Sequence, residues 1–175
     1  ELGFTPQDFL GPVGLNIPAG ESDRTIVEQI WSRPTCDVNG IIGGYTDEGT
    51  KTVLPSKASA KCSFRLVSGQ DPAQVKQAFR DHVHKFLPAD CQAEFISHGA
   101  DPAMMVDTNL PAVGLAKQAL TEAFSHEAVL MGSGGSIPVV EAFKRILSMD
   151  ALLVGFGLDD DQIHSPNEKY DLASF

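Results

Sequence analysis

The sequence predicts an α+β unit of two layers, a half-exposed antiparallel sheet under helices, followed by a stretch of α/β texture. Three observations predict it. Residues 57–66 alternate strictly, with Ala58, Ala60, Cys62, Phe64 and Leu66 against Lys57, Ser59, Lys61, Ser63 and Arg65. That is the period of a strand buried on one face. Val75, Phe79, Val83 and Phe86 then recur at helical spacing behind Asp71-Pro72, a helix-opening pair. From Asn109 onward, longer helical patterns alternate with short apolar segments of the parallel-sheet kind.

In chain order, the first twenty residues are rich in Gly and Pro and read as an irregular surface segment. Thr25 with Glu28 fits a capping box, and the pairs Ile26/Ile30 and Val27/Trp31 predict a short helix stopped by Pro34. Residues 35–45 read as a strand with a glycine-rich exit, and Asp47-Glu48-Gly49 as a turn. After the alternating strand and the helix opened by Asp71, residues 93–98 are expected to return as a further strand. Beyond a boundary near 100–108, helices are predicted at 110–124 and 137–147, and strands at 128–131 and 151–156.

Composition narrows the function classes. The 175 residues carry 13 basic and 23 acidic side chains, a net charge of −10. Nucleic acid and anionic membranes attract clustered Lys and Arg, so neither is an expected partner. No apolar run approaches the roughly 18 residues that span a bilayer. Cys36, Cys62 and Cys91 lack C-x-x-C spacing, and reduced thiols in a cytoplasmic protein are the plain reading. The chain opens at Glu1 without a signal pattern and reads as part of a longer one.

Few residues invite chemistry. Gly132-Ser133-Gly134-Gly135-Ser136 lies between a predicted strand and a helix, where free amide N–H groups favour an anion. It is neither a Walker loop nor a complete G-x-S-x-G elbow. Its residues alone fit a glycine turn with Ser136 as helix N-cap. His164 follows Asp159, Asp160 and Asp161 just beyond a predicted strand, where open α/β sheets place their sites. The carboxylates could orient its imidazole or share a cation, although EF-hand spacing is absent. His82 and His84 are two apart on a helix and diverge, with His82 expected to edge the core and His84 to be exposed. His126 has no cluster, and His98 before Gly99 leans structural. Arg65 sits on the polar face of a rigid strand, where its guanidinium fork is suited to a carboxylate.

Together these strings resemble the zinc exopeptidase and deacylase family of carnosinase-like dipeptidases, glutamate carboxypeptidases and succinyl-diaminopimelate desuccinylase. The carriers are Arg33-Pro34-Thr35 with Asp37-Val38-Asn39-Gly40-Ile41, residues 49–55, residues 61–67, His98-Gly99, Gly134-Gly135-Ser136-Ile137-Pro138 and residues 164–169. The resemblance implies a ferredoxin-like α+β lid at 1–105, incomplete at its start, which dimerises the protein. It implies part of the catalytic α/β domain at 106–175. It also implies that His164 binds one of two zinc ions (Mn or Co being alternatives), and that Arg65 and Ser136, with Gly135, hold the substrate carboxylate. Thr52 and His98 would line the site. The family's other metal ligands and its general base have no counterpart here. The expectation is therefore that this chain alone binds no metal and is inactive, as part of a homodimeric hydrolase of dipeptides or N-acyl amino acids.

Two other readings stay open on the residues. Ser136, an aspartate of 159–161 and His164 follow the order of a serine-hydrolase triad. The two-layer unit could also be a dimerisation or binding module without activity.

Overall fold

The computed structural model describes residues 4–133 and 137–174. The opening segment is more ordered than its Gly/Pro content predicts. Helix α1 (Pro6–Leu10) is opened by a reciprocal capping box between Thr5 and Asp8, with Leu10 buried beneath it. Helix α2 (Ile26–Ser32) starts at the predicted box of Thr25 and Glu28 and buries Ile26. The Arg33 guanidinium donates twice to the Glu21 carboxylate, tying the preceding loop to the end of α2. This pairing holds the Glu21 carboxyl below its ordinary range and raises the Arg33 guanidinium.

Strand β1 (Thr35–Gly43) pairs antiparallel with β2 (Ala58–Arg65), Thr35 facing Arg65 and Gly43 facing Ala58. Asn39 drops out of register between the Val38–Cys62 and Gly40–Lys61 pairs, a bulge that bends the strand locally. The alternation persists where a helix covers the sheet: Cys62, Phe64 and Leu66 are half-buried while Lys61, Ser63 and Arg65 are exposed. Ala58 and Ala60 are exposed too, so the covered face is shorter than the pattern predicts.

Helix α3 (Pro72–Phe86) is capped by the Asp71 carboxylate, which accepts the Ala73 N–H at 2.9 Å. Val75, Phe79 and Val83 are half-buried. Phe86 is instead 67% exposed, because the inward position at this end of the helix belongs to Leu87. His82, expected at the core edge, is exposed with its ring 4.9 Å from Phe86, and His84 is exposed as predicted. The rings of Phe64, Phe79 and Phe95 form an edge-to-face stack, 5.2 and 6.2 Å between successive centroids. Each such pair adds about 0.5–1.5 kcal/mol beyond burial.

Residues 93–98 bring Phe95 into that stack but form no strand ladder. The expected strand–strand–helix–strand sheet is therefore two-stranded among the described residues. Helices α4 (Pro111–Phe124) and α5 (Pro138–Leu147) fall where their periodicity places them and bury Val113 and Val140. The two apolar segments expected as strands, 128–131 and 151–156, carry no ladder. A strand of a parallel sheet is covered on both faces and needs a partner to bond with, and among the described residues no other strand lies alongside these. Phe156 instead meets Phe124 at the end of α4, centroids 6.1 Å apart.

Candidate functional site

The first candidate element is the end of β2. Arg65 is its last residue, exposed and opposite Thr35. Residues two apart share a face of a strand, so Arg65 lies on the polar side with Ser63, Thr35 and Asp37. The Thr35 hydroxyl donates to the Asp37 carboxylate at 2.8 Å. Thr52 stands in the connection between the strands, at the centre of a three-residue turn closed by the Val53 N–H on the Lys51 carbonyl at 3.0 Å. His98 lies exposed in the extended segment after Phe95.

The glycine-rich segment begins against α2. A Cβ on Gly132 would stand 2.7 Å from the Trp31 Cβ and 3.1 Å from its carbonyl oxygen, so only glycine fits there. The motif alone suggests free amides as the reason for its glycines; at position 132 the reason is close packing. Gly135 and Ser136 lie outside the described residues. Helix α5 opens at Pro138 with Ile137 in the cap position.

His164 lies in a loop closed by several hydrogen bonds. Asp161, 2% exposed, is the buried charged residue among those described. Its carboxylate accepts the Leu158 N–H at 2.8 Å and the Lys169 ammonium at 3.0 Å. The same ammonium donates to Asp160 at 3.0 Å, and the Lys169 N–H donates to the Asp161 carbonyl at 2.9 Å. The Leu158 N–H and the Lys169 charge hold the Asp161 carboxyl below its ordinary range, and the two aspartates raise the Lys169 ammonium in return. Within the loop so closed, the Ser165 N–H donates to the Gln162 carbonyl and the Glu168 N–H to that of Ser165. The His164 N–H donates to the Glu168 carboxylate at 3.3 Å. Gln162 and His164 have φ of 53° and 67°, left-handed values that cost on the order of 1 kcal/mol or more each without glycine. His164 is thus presented to solvent from a fixed backbone. Sequence signals did not reveal Lys169 as the partner of the aspartates; its distance of eight residues matches no local rule.

This pattern does not favour the triad reading, whose Ser136 lies outside the described residues. Asp161 and Asp160 are committed to Lys169, and His164 meets Glu168 through its backbone. Neither of two cavities near 500 Å³ joins the candidates: one is lined by Phe4, Arg24, Ile26 and Gln29 among others, the other by His84, Leu87 and Cys91. Among the described residues, no three His, Cys, Asp or Glu side chains converge as a metal site would require. His164 does not make a metal site by itself. No helix among the described residues is long and apolar enough to cross a membrane.

Residues 8–91 match the peptidase dimerisation domain, M20_dimer. The Cys-Gly metallodipeptidase dug1 of Schizosaccharomyces pombe is 28% identical over 99% of this chain and 37% of its own length. The β-Ala-His dipeptidase of Homo sapiens is 29% identical over 85% of this chain and 30% of its own. Among solved structures, the M20 family metallo-carboxypeptidase Sso-CP2 from Sulfolobus solfataricus superimposes with a TM-score of 0.79 at 28% identity, covering 95% of this chain and 38% of that one. The dipeptidase Dug1p of Saccharomyces cerevisiae shares the fold, with a TM-score of 0.82 at 24% identity over 99% of this chain and 37% of its own. The chain spans a little over a third of the length of the first of these relatives.

Proposed function

We propose that this chain belongs to the M20 peptidase family and is part of a metal-dependent hydrolase cleaving the amide bond of a dipeptide or N-acyl amino acid. The observation that carries the reading is likeness to a metallodipeptidase over 99% of the chain. Residues 1–105 form the lid that pairs two copies, and 106–175 belong to the catalytic domain. The end of the dimerisation-domain match at residue 91 supports that division. Zinc is the metal this reading favours. His164 is one ligand, and donors from outside these 175 residues complete the set. The free thiols of Cys36, Cys62 and Cys91 suit a cytoplasmic setting.

Substrate positioning is the work this chain's residues can do. Arg65 projects from the polar face of β2, where a planar fork of donors meets both oxygens of a carboxylate. Ser136, with the Gly135 backbone, supplies a second hold on the same group, and Thr52 and His98 approach from the lid. Fixing the terminal carboxylate orients the scissile amide before reaction.

The test is dipeptide hydrolysis by the intact protein. Arg65→Ala should lower kcat/KM by about one to two decades, the effect of losing a charge-assisted contact. Arg65→Lys should recover part of it, since an ammonium keeps the charge without the fork. A substrate with an amidated C-terminus should lose far less. Equal impairment on free-acid and amidated substrates would overturn the carboxylate role.

A further inference from the structure

We infer that Asp161 and Lys169 are the positioning pair for His164, closing residues 158–169 into a loop that holds the imidazole ready before anything binds to it. The inference rests on the ligand role proposed for His164 and adds residues to it. Bonds at both ends of the loop support it. Asp161 and Lys169 are joined twice, by side chains at 3.0 Å and by backbone at 2.9 Å. Leu158 and Asp161 are also joined twice, through the Asp161 carboxylate at 2.8 Å and the Asp161 N–H at 3.1 Å.

The seven residues enclosed, 162–168, carry His164 and two left-handed backbone positions. Such a conformation persists only where its surroundings over-determine it. The surroundings here are one buried carboxylate with every described contact turned away from His164, so Asp161 acts on the backbone and not on the imidazole. A lysine at 169 satisfies that carboxylate from the far end of the loop. Closure therefore depends on both side chains at once.

Hydrogen exchange and metal titration of the intact protein test the pair. Asp161→Asn keeps the volume and loses the ion pair, and Lys169→Met keeps the aliphatic stem. Each should abolish amide protection at Ser165, Glu168 and Lys169 and weaken zinc affinity by roughly 10- to 100-fold, the usual effect of losing a residue that orients a ligand. Val113→Ala, a cavity in helix α4, provides the control for lost stability: it should lower Tm and leave loop protection and zinc affinity unchanged. If Asp161→Asn keeps loop protection, or shifts zinc affinity no more than Val113→Ala does, the positioning role is overturned. His164→Ala separates the two ideas. Unchanged zinc content in that variant refutes the ligand role, while the exchange data still decide whether the pair closes the loop.

Discussion

Residues 35–95 and residues 109–174 respond differently to equally clear amphipathic patterns. In the first region β1 and β2 find each other, α3 covers them, and Phe64, Phe79 and Phe95 stack across the layer. In the second, both helices form, yet 128–131 and 151–156 stay unpaired, and Leu153 and Val154 remain 58% and 44% exposed. The difference lies in where the partner is. A helix satisfies its backbone bonds within itself, whereas a strand depends on a neighbour. Among its described residues the second region holds helices and apolar segments without a strand to pair them, and its order resides in α4, α5 and the loop closed by Asp161.

Three perturbations sharpen this contrast. The largest effect is expected at Phe79, the middle ring of the stack. Phe79→Ala should cost about 3 kcal/mol, the lower end for an aromatic truncation because the site is half-buried. Chemical denaturation followed through the Trp31 fluorescence and backbone circular dichroism measures it. A cost below about 1 kcal/mol would mean that the stack does not hold the layers together.

The second perturbation addresses the contact between the second region and helix α2. Gly132→Ala drives a methyl into the Trp31 Cβ and carbonyl oxygen, and overpacking of this kind costs about 1–3 kcal/mol. The Trp31 emission should shift together with the melting of α4 and α5. A neutral substitution would show that the second region is not packed against α2 at this point.

The smallest effect is electrostatic. The Asp161 carboxyl is depressed from its ordinary 3.8, so its contribution is complete above that value and is lost as pH falls through the lower folded value. The Lys169 ammonium is raised from 10.5, so its contribution is complete below that value and is lost as pH rises through the higher folded one. The Tm gap between the natural protein and Asp161→Asn should be flat from about pH 5 to about pH 9 and narrow on either side. A gap that changes across neutrality would implicate a histidine in place of this pair.

Much of the fold was legible because its signals are local. Thr25 and Glu28 announce α2, Asp71-Pro72 announces α3, and the alternation from 57 to 66 announces β2, each within a few residues. Thr5 and Asp8 announce α1 equally well, but the surrounding glycines and prolines obscured them. The candidate site was legible only as residue types. Arg65 could be assigned to a polar face because a strand has period two. Gly132 could not be assigned to Trp31, nor Asp161 to Lys169, because those contacts join positions that no period relates.

The sequence by itself determined where the helices begin, which face of β2 is apolar, and the overall acidity. Bonds between near neighbours and a fixed backbone period decide such things. Only the tertiary structure decided that β1 bulges at Asn39, that Phe95 joins the stack without joining the sheet, and that a buried aspartate shapes the loop of His164. Each of these depends on which distant group arrives to fill a space or satisfy a charge, and that is settled by packing.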